Sequence, residues 1–131
     1  MSIRQLYFRL AMTIFMVEVF IAVGWLGGAF VRNFLGDLLV MALIYFVLRS
    51  GGRFTVLKAA GLALGLGFLA EGLQYIHLAD LLKLSQHDPL YILLGNTFSP
   101  LDLVMYALGA GLSAAGDLYL LTPLHERWLK R

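Results

Sequence analysis

Two polar side chains interrupt the apolar stretch Leu66–Leu82, which reads LGFLAEGLQYIHLADLL. Glu71 and Gln74 are three residues apart, so both side chains lie on one face of a helix. A carboxylate and an amide inside a membrane helix are costly unless they face a partner or a ligand. Glu71 lies within the helix rather than at its start, so it caps nothing and is the first candidate for a binding residue.

Other ionisable groups are expected at the same membrane depth. Asp37 begins the second apolar stretch, just after Arg32, and Asp102 begins the fourth, with Tyr106 one turn later on the same face. We predict that these groups converge on one pocket. Its predicted ligand-binding residues are Arg32, Asp37, Glu71, Gln74, Asp102 and Tyr106.

Plainer interpretations of the same residues remain open. Asp37 and Asp102 each stand at a predicted helix start, where a carboxylate can cap the helix and complement its dipole. The sequence from Ser99 to Asp102 has the spacing of a capping box, with Pro100 at the first helical position. The whole cluster could also be structural and fix the packing of three helices.

No recognisable catalytic or metal-binding pattern accompanies these residues. The chain has no cysteine, and Glu71 and His77 are six residues apart, a spacing that does not place them on one helical face. The sequence contains no phosphate-binding glycine loop and no nucleophile–base set. It therefore assigns no catalytic residue, no metal and no cofactor.

The composition places these residues in a membrane. Of 131 residues, 60% are hydrophobic and 14% are charged, and the mean hydropathy is +0.82. Soluble domains carry about 25% charged residues. The net charge of +2 is too small to indicate nucleic-acid binding. The chain is therefore predicted to be an integral membrane protein.

Four apolar stretches are long enough to span a bilayer, given that a span needs about 20 residues. We predict an all-α, four-helix transmembrane bundle as a single domain, 1–131, with helices near 10–30, 35–49, 56–76 and 101–121. Arg4 and Arg9 precede the first stretch, as in a signal peptide. No clear cleavage site follows, and three more spans do, so we expect an uncleaved helix.

The segment 77–100 is too polar for a fifth span. We expect short interfacial helices there, with Asp88 as a helix N-cap and Pro89 at the first helical position. Eight of the ten Lys and Arg residues fall on the opposite side of the predicted spans. This asymmetry predicts cytoplasmic N- and C-termini and an outward-facing 77–100 segment.

Glycines are frequent in the predicted spans. Gly61 and Gly65 form a G-x-x-x-G pattern, which allows close helix approach in lipid. The pattern fits packing inside the bundle, or a dimer face. The partners expected from the sequence are membrane lipid and either a second copy or another membrane protein, with no nucleic acid.

The order of these residues resembles a known family. Arg32 with Gly36-Asp37, Tyr45, the Glu71-x-x-Gln74 pair, and Phe98, Asp102, Tyr106 and Gly109 are similar to the small bacterial membrane proteins of domain of unknown function 2809. Two positions depart from the family pattern, Ser99-Pro100 and Gly72. The resemblance implies a fold, a topology and a bacterial inner (plasma) membrane as the location, but no activity. A more distant similarity to VanZ-like proteins rests on Glu71, Gln74 and Asp102 and implies a cell-envelope setting.

Three classes of function remain. The first is an outward-facing site for a lipid head group or a lipid-linked substrate, in which a carboxyl group binds or acts as acid or base. The second is a non-catalytic scaffold or membrane-complex subunit with a structural polar cluster. Ion or proton movement is disfavoured, because acidic groups do not line the full membrane depth, although Glu18 and Asp117 leave it open.

Overall fold

The computed structural model describes residues 1–95 and 97–130, apart from the side chains of residues 92 and 93. Across these residues the secondary structure is helical, and four helices are long and apolar enough to cross a membrane. The all-α, four-span prediction is thereby confirmed. The helices are α1 Ile3–Ala22, α2 Val31–Ser50, α3 Val56–Tyr75, α4 Leu78–Leu81, α5 Pro89–Leu94 and α6 Pro100–Leu129.

The four long helices form a bundle in which α2 contacts the other three. Tyr7, near the start of α1, bonds to Arg49, near the end of α2. Glu71, near the end of α3, bonds to Tyr106, in the first half of α6. Helices α1 and α3 therefore run in one direction and α2 and α6 in the other. We call the two ends of the bundle the Glu71 end and the Asp117 end, after the buried carboxylate near each.

The first helix lies earlier in the chain than predicted. It begins at Ile3 rather than near residue 10 and ends at Ala22 rather than near residue 30. Ser2 and Gln5 form a capping box. The Ser2 hydroxyl accepts from the backbone N–H of Gln5, and the side-chain oxygen of Gln5 accepts from the backbone N–H of Ser2. Gly24, with φ of +77°, follows the helix and turns the chain away from helical geometry.

The last helix is longer than predicted and continues to Leu129 rather than ending near residue 121. It contains a π-helical turn, Asp117–Leu121, between two α-helical parts. Pro123 lies in the first turn beyond it. A proline has no N–H and clashes with the carbonyl four residues back, so the wider turn before it lets the helix continue. A second π-helical turn, Val31–Leu35, begins α2 before the predicted residue 35.

The segment between α3 and α6 contains the two short helices that the sequence predicts. His77, with φ of +54°, separates α3 from α4. Asp88 caps α5 through its side chain, which accepts from Leu90 N–H at 2.9 Å, and Pro89 occupies the first turn. These features confirm the predicted cap, and within the described residues no helix of spanning length runs through Pro89.

Glycines serve the packing of the bundle at some positions and not at others. At Gly109 an added Cβ would collide with the backbone carbonyl of Leu38 and lie 2.9 Å from Met41 Cβ, so α2 and α6 pack backbone to backbone there. By contrast, a Cβ at Gly61 or Gly65 would meet nothing within 4 Å. The interpretation of Gly61 and Gly65 as packing residues inside the bundle is therefore wrong, because both lie on the outward face of α3.

Candidate functional site

Glu71 is more deeply buried than Glu18, Asp37 or Asp102, with only 1% of its surface exposed. One carboxyl oxygen accepts from the Tyr106 hydroxyl at 3.1 Å, and the other accepts from the backbone N–H of Ser99 at 3.2 Å. Because each carboxylate oxygen can accept two hydrogen bonds, both retain further capacity. The expected meeting of Glu71 and Tyr106 is present.

Asp37, in the second turn of α2, faces Asp102, in the first turn of α6. Their carboxyl groups lie within hydrogen-bonding reach, and Asp37 also interacts electrostatically with Glu71 and Glu18. Within residues 1–95 and 97–130, no N–H or hydroxyl donor bonds to the Asp37 or Asp102 side chain. Neither residue caps its own helix through its side chain, and Ser99 forms no side-chain cap either. The interpretation of these residues as side-chain caps is therefore wrong, whereas Pro100 occupies the first turn as predicted and Asp102 lies in that turn, where a carboxylate complements the helix dipole.

Glu18 belongs to the same end of the bundle, which the sequence did not predict. Because α1 ends at Ala22, Glu18 lies in its last turns instead of at mid-membrane. Its Oε2 lies 3.9 Å from the position of a Cβ on Gly36, beside Asp37. Its Oε1 is buried and has no hydrogen-bond partner among the described residues. Four carboxyl groups from four different helices thus gather at the Glu71 end.

A cavity of about 320 Å³ opens beside these groups. It is lined by Arg32, Asn33, Asp37, Thr97, Ser99 and Asp102. Arg32 forms no ion pair with either aspartate in the described structure, so its guanidinium stays available to a ligand. The sequence missed Asn33 and Thr97, because neither stands in a helical spacing that points to the cluster.

Gln74 takes a different position from the one expected. Its side chain lies against Gly95, where an added Cβ would be 2.8 Å from Nε2 and 3.1 Å from Cδ. It does not line the cavity. Gly95 itself has φ of +66° and ends α5. Gln74 therefore supports the connection that leads into α6, while Glu71 holds Ser99 on the same connection.

A second polar cluster lies at the Asp117 end and was also missed. Asp117 is fully buried, and each of its oxygens accepts two hydrogen bonds. Oδ1 accepts from Tyr7 and Thr122, at 2.6 and 2.9 Å, while Oδ2 accepts from Tyr45 and from Arg49 Nε, at 2.6 and 2.7 Å. All four acceptor positions are filled, so this carboxylate is tied to the protein itself.

Arg49 completes the second cluster and joins it to the chain nearby. Besides its ion pair with Asp117, it donates from Nη1 to the Phe54 carbonyl at 2.7 Å and from Nη2 to the Tyr7 hydroxyl at 3.0 Å. The network links α1, α2, α6 and the turn before α3. Tyr45 therefore belongs to this network and not to the pocket at the Glu71 end.

No group of three or more His, Asp or Glu residues within the described chain has an arrangement that could hold a metal ion. The described structure has a partly open pocket lined by carboxyl groups at the Glu71 end of the bundle and a closed ion-pair network at the Asp117 end. The molecule thus has four helices long and apolar enough to cross a membrane, and a polar pocket as its candidate site.

The chain belongs to the family described as "Protein of unknown function (DUF2809)", whose model matches residues 26–110. The match covers well over half of the chain and includes α2, α3, the two short helices and the first third of α6. It therefore confirms the family resemblance. No curated protein and no solved structure matches the chain.

Proposed function

We propose that the protein binds the polar head group of a membrane lipid, or of a lipid-linked molecule, in the pocket at the Glu71 end. The observation that carries this proposal is the convergence of four carboxyl groups beside a cavity that also exposes Arg32. A head group with an amine or hydroxyl donor and a phosphate would complement this combination of charges.

The contrast between the two polar clusters supports a ligand at this end. Asp117 has four protein donors and needs none from outside. Asp37 and Asp102 have each other, and Glu18 keeps a buried oxygen without a partner in the described residues. Buried polar atoms without partners are rare in native proteins. Ligand N–H or O–H groups in the cavity would supply donors to Asp37 and Asp102, which line it.

A structural role for the same cluster is the second candidate. Glu71 joins α3 to the start of α6 through Ser99 and Tyr106, which is what a scaffold requires of a buried carboxylate. In that case the protein would be a non-catalytic subunit or scaffold of a membrane complex. The two candidate functions differ in the role of Asp37 and Asp102. A scaffold requires its buried carboxylates to bond to other helices, but in the described structure neither aspartate accepts a hydrogen bond from an N–H or hydroxyl group of another helix.

The membrane in which the protein lies and its orientation there are also part of the proposal. The distribution of Lys and Arg supports a bacterial inner membrane with cytoplasmic termini and the Glu71 end facing outward. The distant similarity to VanZ-like proteins supports a cell-envelope role. Reporter fusions after residue 130 and within 86–89 should therefore give cytoplasmic and external signals, respectively. Equal signals from both fusions would contradict this topology and the outward-facing pocket.

Phosphatidylethanolamine is the first ligand to test, because its ammonium can donate to carboxylates and its phosphate can accept from Arg32. The double variant Asp37→Asn/Asp102→Asn should lower its affinity by at least about tenfold, since hydrogen bonds to charged groups contribute about 1.5–3 kcal/mol. Native mass spectrometry of purified protein titrated with this lipid would measure the change. Glu126→Gln removes an exposed carboxylate outside the cavity and is the matched control.

Folding and lipid-binding measurements on Glu71 variants together distinguish head-group binding from a purely structural role. Glu71→Gln keeps the shape of the side chain, whereas Glu71→Leu removes the partner of Tyr106 and Ser99. If the site binds a head group, Glu71→Gln should fold normally and bind the lipid more weakly. Unchanged lipid binding in both Glu71→Gln and the double aspartate variant would reject the pocket and leave the scaffold.

A further inference from the structure

Two cavities adjoin on the bundle surface between α1 and α2, at the Asp117 end. Each has a volume of about 390 Å³, and both are lined by Phe8 and Ser50. The first is otherwise lined by Arg4, Gln5 and Arg9, and the second by Ala11, Met12, Phe15, Leu43 and Val47. A basic recess therefore continues into an apolar groove.

The basic recess is suited to an anion. No acidic side chain lines it, and neither Arg4 nor Arg9 forms an ion pair within the described part of the chain. The oxygen of the Gln5 side chain already accepts from Ser2 N–H, which leaves the amide group as a donor. Two guanidinium groups and an amide thus present donors to one small volume, and guanidinium groups bind phosphate well.

The apolar groove begins where the recess ends. Arg4, Phe8 and Phe15 are spaced by four and seven residues, so they follow one another along one face of α1. Val47 of α2 forms the opposite wall, and Ala11 forms the narrow floor with 3% of its surface exposed. The groove runs from the helix start toward the middle of the span, as an acyl chain runs from its head group.

We propose that this composite surface is a binding site for one anionic glycerophospholipid, with its phosphate between Arg4 and Arg9 and one acyl chain in the α1–α2 groove. The charge of the recess selects an anionic head group over a zwitterionic one. The groove selects a lipid over free phosphate. The site lies at the opposite end of the bundle from the Glu71 pocket and does not depend on the function proposed for that pocket.

The predicted orientation adds a consistent argument. If the termini are cytoplasmic, the recess faces the cytoplasmic leaflet, where anionic lipids attract basic residues next to a membrane span. Basic pockets between transmembrane helices on that side are a known form of lipid head-group site. The proposal itself requires only the recess and the groove.

Binding of dioleoyl phosphatidylglycerol and dioleoyl phosphatidylcholine to the full-length protein, measured by native mass spectrometry, tests the site. The wild type should take up one phosphatidylglycerol in preference to phosphatidylcholine. Arg4→Gln/Arg9→Gln should weaken phosphatidylglycerol binding roughly thirtyfold, because each basic residue near a membrane contributes about 1 kcal/mol. Arg53→Gln/Lys58→Gln removes two basic residues of the same end that do not line the recess, and should keep the preference.

A second variant tests the groove alone. Val47→Trp fills the groove from its half-exposed wall and should weaken phosphatidylglycerol binding while both arginines remain. Inorganic phosphate should not displace the lipid. Equal uptake of the two lipids, equal losses in the two double variants, full binding by Val47→Trp, or displacement by phosphate alone would each overturn the proposal.

Discussion

Replacing Asp117 with alanine should lower the free energy of unfolding by about 3–5 kcal/mol, because the change leaves a partly buried arginine without its counter-charge. The side chain of Arg49 is only 17% exposed. The hydroxyls of Tyr7 and Tyr45 would lose their acceptor at the same time. Unfolding in mixed micelles at increasing fractions of sodium dodecyl sulfate would measure the loss. Glu126→Gln, an exposed carboxylate on the same helix, should change stability by less than about 0.5 kcal/mol.

The mechanism of that loss can be tested by removing both charges. Arg49→Met/Asp117→Leu leaves no unpaired ion, so it should be more stable than Asp117→Ala, even though it lacks the whole ion pair. Tyr45→Phe removes a single donor and should cost less than Asp117→Ala. The loss of stability in this double variant is to be compared with the summed losses of Arg49→Met and Asp117→Leu measured singly. If the double variant loses as much as that sum, the ion pair is not the source of the stability.

The second large effect is expected at Gly109. Gly109→Ala should lower the free energy of unfolding by about 1–3 kcal/mol, the usual range for overpacking. The added methyl group would meet the Leu38 carbonyl, which is backbone and cannot rotate away, as well as Met41 Cβ. The same unfolding titration measures the effect, and a reduced yield of folded protein would accompany it.

The control for Gly109→Ala lies two residues further along α6. A Cβ on Gly111 would meet nothing within 4 Å, so Gly111→Ala should leave stability unchanged or raise it by up to about 1 kcal/mol through the better helix propensity of alanine. Equal destabilisation by both substitutions would mean that propensity, and not the close approach of α2 and α6, controls the outcome.

The number and class of the helices could be predicted from the sequence, because long apolar stretches with few charges are typical of membrane-spanning helices. The ends of α1 could not be placed the same way. Apolar residues continue past Ala22 to Phe30, so hydropathy alone extends the helix to them. The capping box at Ser2 and the positive φ at Gly24 decide the ends, and both are local signals that a hydropathy window averages out.

The candidate site was predicted in part. Glu71 with Tyr106, and Asp37 with Asp102, follow from helical spacing and from the alternating direction of the spans. The same reasoning predicted that Gln74 lies in the pocket, but its side chain lies against Gly95 in the connecting segment instead. Glu18 was missed as a direct consequence of the displaced helix 1, since a shift of the helix along the membrane changes the depth of each residue in it.

The Asp117 network could not be predicted from spacing within any one helix. Tyr7 and Asp117 are 110 residues apart in the chain, and Tyr45 and Asp117 are 72 apart. Only the packing of α1 against α2 and of α2 against α6 brings them together. The signal available in the sequence was that Arg49 and Asp117 both fall near the predicted basic side, which is where a buried carboxylate most readily finds a cation.

The π-helical turn at Asp117–Leu121 also affects how this sequence should be compared with its relatives. One additional residue in a helical turn rotates everything beyond it by about 100° relative to a regular α-helix. A helical wheel drawn continuously from Pro100 therefore assigns residues 122–129 to the wrong faces. A relative lacking one residue in this stretch would have an unbroken α-helix, and its counterpart of Thr122, then four residues from the aspartate, would still lie one turn above it. A one-residue gap here in an alignment would thus mark the loss of the π-helical turn with the faces of residues 122–129 retained, and not a mere difference in helix length.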